Sequence, residues 1–342
     1  MRKLFARLVL FGLLAVLALA GWIGWRALTP VSVPSNDVEF SVPAGSSIRG
    51  AARQMAEAGI GIYSWEFALL ARFSGRGTTV KAGNFVISRG ITPWGLLGKL
   101  SRGEFTQEEV TLIEGWTLIQ MREALNKHPA LRHDSRDMSA AELRQYLGIT
   151  DKALEGWLFP DTYLFPKGES DLKVLARAHR AMQRVLNAAW EARDPTLPLA
   201  SPYEALILAS IVEKETGREG DRPNVASVFI NRLRSGMRLQ TDPTVIYGIG
   251  RDFDGNLRRS DLQRDTPWNT YTRDGLPPTP IAMPGVASLR ATLSPPKTDY
   301  LYFVARGDGT SEFSSTLEAH NRAVHRFQIA PSRRINERAA KP

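Results

Sequence analysis

The sequence predicts an α+β chain: one N-terminal membrane helix, a small βααβ unit, and a larger, mainly helical domain with short strands. Three observations carry this. Arg2, Lys3 and Arg7 precede eighteen uncharged residues, Leu8 to Trp25, which is just enough to cross a bilayer core. An alternating run at Val38–Val42 and a second short β-rich run at Asn84–Ile87 flank two helical patterns. Beyond Val110, apolar residues recur at helical spacing in several segments separated by short β-rich runs and proline-rich connections.

Composition bounds the rest. At 342 residues, with 43% apolar and 23% charged residues, the chain has room for more than one domain and a sizeable core. It has no cysteine, which excludes a disulfide framework, a thiol nucleophile and cysteine-ligated metal sites. A net charge of +9 favours anionic partners. The N-terminal run decides among them. Positive charge before it predicts a cytoplasmic N-terminus at 1–7, a span at 8–25 and export of everything after it. Ala18-Leu19-Ala20 leaves a cleaved signal peptide as the competing reading, but the apolar run continues past it to Trp22 and Trp25. Either way the remainder is outside the cytoplasm, so nucleic acid is not an expected partner.

Residues 26–37, with Pro30 and Pro34, read as a stalk. The unit at 38–106 begins with the strand Val38–Val42, turned by Pro43-Ala-Gly45. A helix over 46–58 is closed by Gly59. Ser64 then caps a second helix through Phe73, and Trp65, Leu69 and Phe73 lie along one stripe of it. A strand at Asn84–Ile87 follows, and Thr92-Pro93 starts a short helix that stops near Gly103. This order resembles the LysM modules that grip N-acetylglucosamine polymers, in pattern only; a packing unit without a ligand has the same pattern.

In the domain at 107–330, Val110–Ile113 is a strand and Leu118–Lys127 a helix. Residues 128–140 are polar and read as a loop, and Ala141–Leu147 as a short helix. Leu154 to Pro166 is dense in aromatics and proline, suited either to a core or to stacking on sugar rings. Asp171–Arg193 is a long amphipathic helix. Asp221 can cap a helix over Arg222–Arg234. Met237–Pro243 is extended, a short helix covers Pro243–Tyr247, 252–274 is polar and irregular, and 276–284 is extended by four prolines. Tyr300–Ala305 opens a hairpin turned at Asp308-Gly309. Ser315 and Glu318 start a last helix, and 331–342 is a basic tail.

Ser201 to Gly217 stands apart. Ser201 is a cap, Pro202 suits the first helical position, Glu204 completes a capping box, and Gly217 is placed to stop the helix. The apolar body between them ends in Glu213 and Glu215. On a helical wheel Glu215 follows Val212, Ile211 and Leu208 by three, four and seven residues. Glu213 lies behind Leu206, Ala209 and Ser210, and Lys214 points away from both. Burial and the negative end of the helix dipole both raise a carboxyl pKa, so Glu215 is the candidate general acid and Glu213 a supporting neighbour. The histidine spacings match no zinc motif, and neither a nucleophile elbow nor a phosphate loop is present. No metal or cofactor is expected.

Several longer motifs sharpen this: Ala209-Ser-Ile-Val-Glu-Lys-Glu-Thr216, Val225-Ala-Ser-Val-Phe-Ile-Asn-Arg-Leu233, Met237-Arg-Leu-Gln-Thr-Asp-Pro-Thr-Val-Ile-Tyr-Gly248, Asn269-Thr-Tyr271, Gly275-Leu-Pro-Pro278, Tyr300-Leu-Tyr-Phe-Val304 and His320-Asn321. Together they resemble the MltG, or YceG-like, endolytic murein transglycosylase family, over nearly the whole chain. The resemblance implies Glu215 as the catalytic residue, supported by Glu213 and Thr216, with Gln240, Thr241, Asp242, Asn269 and Tyr271 lining a substrate cleft. One departure is Trp268, where the family pattern has a tyrosine. The implied reaction cleaves the β-1,4 bond from N-acetylmuramic acid to N-acetylglucosamine without water, leaving a 1,6-anhydro end. It needs one carboxyl rather than two. Implied partners are peptidoglycan glycan strands and the inner membrane, with peptidoglycan polymerases as neighbours; the implied role is termination of growing strands. A hydrolytic muramidase, with Asp242 as second carboxylate, and a non-catalytic wall-binding scaffold are the competing readings.

Overall fold

A computed structural model describes residues 2–35, 37–43, 45–75, 80–104 and 107–330. The basic tail 331–342, Ala44 of the first turn, and the side chains of Arg2, Lys3 and Arg7 lie outside what is described. The chain divides into two compact units, residues 1–109 with 164–169, and 110–163 with 170–342. Residues 164–169, expected within the larger domain, group with the first unit.

The first unit opens with helix α1 (Arg2–Leu28). Its segment Val9–Leu28 is long and apolar enough to cross a membrane and is not buried by the protein. Strand β1 (Asp37–Val42) follows, then α2 (Ile48–Glu57), α3 (Ser64–Phe73), β2 (Gly83–Ser88), α4 (Pro93–Arg102) and β3 (Gln107–Thr111, of which Gln107–Glu109 belong here). β1 and β2 pair antiparallel, Asp37 opposite Ser88 and Val42 opposite Gly83. Strand alternation turns Val38, Phe40 and Val42 inward, where they meet Phe85, Met55 of α2, Phe67 of α3 and Leu96, Leu97 and Leu100 of α4. Thr92 caps α4 by accepting from the Gly95 N–H at 3.1 Å, and Gly103 ends it in the left-handed region at φ 73°.

Two expectations need correction here. Ser64 is not a cap: it is the first residue of α3, behind Tyr63, which makes no side-chain cap bond. The stalk is not free either. The Val31 N–H donates to the Ile91 carbonyl and the Gly61 N–H to the Ser32 carbonyl, both at 2.9 Å, while Ala27, Val31 and Val33 join the core. Paired backbone and buried β-branched side chains make this segment part of the unit.

The second unit comprises α5 (Leu118–Lys127), β4 (Leu131–Arg132), α6 (Ala140–Tyr146), β5 (Thr162–Pro166, of which Thr162 and Tyr163 belong here), β6 (Glu169–Ser170, of which Ser170 belongs here), α7 (Asp171–Glu191), α8 (Pro202–Glu215), α9 (Arg222–Arg234), α10 (Asp242–Ile249), α11 (Arg259–Gln263), α12 (Val286–Leu293), β7 (Tyr302–Ala305), β8 (Ser311–Ser314) and α13 (Leu317–Val324). β7 and β8 form the expected hairpin, Tyr302 opposite Ser314. Thr316, one residue beyond the predicted Ser315, caps α13. Helices α11 and α12 fall in stretches read as irregular or left unassigned.

Helix α8 is the axis of this unit, packed by α7, α9, α10 and α12. Ala205 through Val212, eight residues in succession, are all buried, so the helix has no solvent face along its body. Ser201 accepts from the Glu204 N–H at 3.3 Å, while the Glu204 carboxylate accepts from the Ala200 N–H, one residue short of a full capping box. At the other end Thr216 is extended (φ −146°, ψ 126°) and ends the helix before Gly217, which is not left-handed.

Candidate active site

Because α8 is buried all round, the predicted contrast between an apolar stripe and a polar face is not what separates its two acids. They differ in what they meet. Glu213, whose side chain is 6% exposed, turns into the protein. It accepts from the Gly285 N–H at 2.9 Å and faces the Arg222 guanidinium at 3.6 Å. Glu114 shares that corner: burial, then the Glu213 charge, push its carboxyl upward, and Arg222 opposes them. A Cβ at Gly285 would meet the Glu114 carboxylate, which would have to swing aside. Lys214 does point elsewhere, donating to the Gly115 carbonyl at 3.3 Å.

Glu215 faces a cleft of about 410 Å³ lined also by Arg232, Gln240, Asp242, Tyr271, Tyr302, Phe303, Leu317 and His320. Burial raises its pKa, the Thr241 hydrogen bond lowers it, Asp242 adds to the rise and Arg232 offsets part of it. The Thr241 hydroxyl donates to Glu215 Oε1. Oε2 has no protein hydrogen-bond partner among the described residues, so it is the oxygen available to carry a proton to a ligand.

Thr241 reaches Glu215 because of the strand-like stretch before α10. Gln240 is the one non-glycine among the described residues at positive φ, 49°, a conformation that costs about 1 kcal/mol. Backbone bonds hold it there. The Gln240 N–H donates to the Thr270 carbonyl at 3.2 Å, and the Thr241 N–H to Thr270 Oγ1 at 3.1 Å. From α9, Arg232 donates to the Leu239 carbonyl at 2.5 Å and the Leu301 carbonyl at 2.7 Å, fastening the same loop and β7. Asp242 accepts from the Tyr271 hydroxyl at 2.5 Å, so the two close one edge of the cleft.

Of the candidate residues, Glu213, Thr216, Thr241 and Asn269 do not line this cleft, although Thr241 reaches Glu215 with its hydroxyl. Asn269 is wholly buried. Its amide nitrogen donates to the carbonyls of Leu262 (3.1 Å) and Arg264 (2.7 Å), and its oxygen accepts from the Tyr271 N–H at 2.8 Å. Asn269 therefore builds the turn that presents Tyr271 and leaves no amide group for a ligand. Thr216 accepts from the Arg218 N–H at 3.0 Å and shapes the helix end. Conversely, Arg232, Tyr302, Phe303, Leu317 and His320 were not anticipated. Arg232 had a visible signal: a cation on the Val225, Val228, Phe229 stripe of α9. The His320 ring stacks on Tyr302 at 5.3 Å, with Nδ1 buried and unpartnered. Among the described residues no group of His, Cys, Asp or Glu gathers as a metal site.

An α+β domain that presents a desolvated carboxyl, with one free oxygen, in an open cleft defines a protein suited to acid–base chemistry, able to give a proton and take one back. Residues 40–326 match the model of the YceG-like family, and the chain belongs to that family. It is 32% identical over 324 residues to a Bacillus subtilis protein named endolytic murein transglycosylase, covering 89% of each chain. A Streptococcus pneumoniae protein of the same name is 27% identical over 353 residues; the match covers 91% of this chain and 63% of that longer one. The crystal structure of a YceG-like protein from Listeria monocytogenes matches with a TM-score of 0.53 at 29% identity, over 84% of this chain and 98% of that one.

Proposed function

We propose that the chain is a membrane-anchored lytic transglycosylase that cuts peptidoglycan glycan strands internally, between N-acetylmuramic acid and N-acetylglucosamine. The observation that carries this reading is Glu215, a carboxyl raised by burial at the floor of an open cleft, with Oε1 engaged by Thr241 and Oε2 free. Glu215 protonates the glycosidic oxygen and the bond to C1 breaks. The resulting carboxylate takes the proton of the muramic 6-hydroxyl as that oxygen attacks C1. The product is a 1,6-anhydro end, with no water consumed. Arg232 and the Thr241 hydroxyl stabilise the carboxylate stage. Tyr271, Tyr302 and His320 offer ring faces to the sugars, and Gln240 is the group left to orient the 2-acetamido amide. The names borne by the relatives and the openness of the cleft support an endolytic cut.

Helix α1 supports retained anchoring with the N-terminus cytoplasmic and the cleft outside the inner membrane. A tethered cleft works beside newly made strands, so termination of their growth, next to peptidoglycan polymerases, is the role this arrangement serves. The antiparallel βααβ order of the first unit agrees with a LysM-like module.

The test is mass spectrometry of purified wall digested with the wild type and with Glu215→Gln. Expected are anhydro ends, one water lighter than reducing ends, and their loss by about 10²- to 10⁴-fold in the variant. Reducing ends alone would move the function to a hydrolase using Asp242. Unimpaired function in Glu215→Gln would make the chain a wall-binding scaffold.

A further inference from the structure

The first unit carries an apolar surface that its own packing does not explain. Helix α3 buries Phe67, Leu70 and Ala71 in the core, as a surface helix should. Its opposite stripe is apolar as well. Trp65 is 57% and Phe73 70% exposed, with Leu69 between them, and the neighbouring Tyr63 is 63% exposed. Trp94, at the start of α4, is 42% exposed. Four large aromatics on one small unit exceed the scattered exposure of an ordinary surface.

Their position relative to α1 is fixed. The Trp65 ring stacks on Trp22 at 6.1 Å with 12° between planes. Arg26 and Glu66 form an ion pair at 2.6 Å. Leu69 and Pro93 border the same groove as Trp22 and Ile23, and Ala27 is buried in the unit's core. The unit is therefore built onto the last turns of α1 with no spacer. With 8–25 as the span, Trp22 lies three residues, about 4.5 Å, inside its outer end. Trp65, stacked on Trp22, then sits at the border of the hydrocarbon and the outer interface, and the α3 stripe starts there. Tryptophan and tyrosine favour that layer, and the Arg26–Glu66 pair enters it without net charge.

We propose that the α3 face, Tyr63, Trp65, Leu69 and Phe73, is a lipid-docking surface that seats the first unit in the outer interface of the bilayer. This rests on α1 being a retained span. The bilayer is the occupant because the stripe continues the surface of a helix already long enough to cross it.

The chain has no cysteine, so single labels can be placed on the full-length protein. Spin labels at Leu14→Cys, Tyr63→Cys, Phe73→Cys and, as an exposed charged reference on α2, Glu57→Cys are read in phosphatidylethanolamine–phosphatidylglycerol vesicles by collision with oxygen and with a water-soluble nickel chelate. Expected is deep placement of Leu14, loss of nickel collisions with a gain in oxygen collisions at Tyr63 and Phe73, and water-like values at Glu57. In the added background of Trp65→Ser, Tyr63 should lose protection while Leu14 keeps its depth. Leu14 deep with Tyr63 and Phe73 matching Glu57 overturns the docking face and leaves the anchor standing. Leu14 in water overturns the anchor itself. Protection at Phe73 that disappears on diluting protein into lipid assigns the face to a second copy and also overturns the proposal.

Discussion

At the tip of α8 one hydroxyl sets how Glu215 titrates. Burial and Asp242 push the carboxyl up, and the Thr241 hydrogen bond, which favours the ionised form, pulls it down. Thr241→Val removes the donor and keeps the shape. With Glu215 as the proposed acid, the alkaline limb of the kcat/KM profile should move to higher pH, since the lost bond favoured the ionised form. An unmoved limb would show that Thr241 does not control this proton. Glu215→Gln should also stabilise the fold at neutral pH: a folded-state pKa above the unfolded one costs stability as pH rises through the interval, and Gln does not titrate. Urea midpoints at pH 7 and pH 4 check this, with the gain expected at pH 7 only. The sequence made Glu215 a candidate, because an acid at the end of an apolar helix is conspicuous, and its place in the cleft keeps it one. It misassigned Asn269, because a buried amide bracing a turn and an exposed one binding a sugar are written with the same residue. Only the three carbonyls and one N–H around Asn269 tell them apart.

Elements here are tied by a second buried acid that the proposed chemistry does not use. Glu155 accepts from the Leu118 N–H at the start of α5 (2.9 Å) and from the Tyr247 hydroxyl on α10 (3.0 Å). Desolvation lifts its pKa to about 7 against the opposing pull of both bonds. The folded state thus binds a proton more tightly than the unfolded one. The favourable contribution is fully present below pH 4.5 and is lost as pH rises to about 7, an effect of about 3 kcal/mol at most. Glu155→Gln keeps an acceptor for Leu118 and a donor for Tyr247. Its urea midpoint should exceed the wild type's at pH 8, with the difference shrinking toward pH 5; a constant difference would mean that Glu155 does not titrate in this range. At this scale caps were the readable signal: Ser201, Thr92 and Gly103 all act as their residue types predict. Helix α12 was not readable, since Val286–Leu293 follows four prolines and buries Ser288 and Thr292 in place of an unbroken apolar stripe. Asp221 shows the converse error. It has the right residue type for a cap, yet its carboxylate accepts from the Ser311 N–H on β8, a partner ninety residues away.

For the molecule as a whole, a helix long and apolar enough to cross a membrane was legible from the sequence, whereas the packing of the stalk was not. Residues 29–35 look like a linker by their prolines, and only the pairing of Val31 with Ile91 and Ser32 with Gly61 makes them part of a fold. Two physical forces could hold such a chain at a membrane, and they separate cleanly. A net charge of +9 attracts anionic headgroups, and that attraction is screened within about 3 Å at 1 M salt. The twenty-residue segment Val9–Leu28, uncharged except for Arg26, holds by hydrocarbon transfer, which salt does not weaken. The full chain should therefore stay in the membrane pellet through a 1 M salt wash and through alkaline carbonate. A chain begun at Gly21 keeps Trp22 on Trp65, Arg26 on Glu66 and Ala27 in the core, so its first unit retains those contacts. It has lost most of the span and keeps only charge and the exposed aromatics as attachment, so it should be released by the carbonate wash while refolded helix content stays unchanged. Release of the full chain under the same wash would leave charge and interfacial contact as the whole of its attachment, and α1 would then have to be read as something other than an anchor.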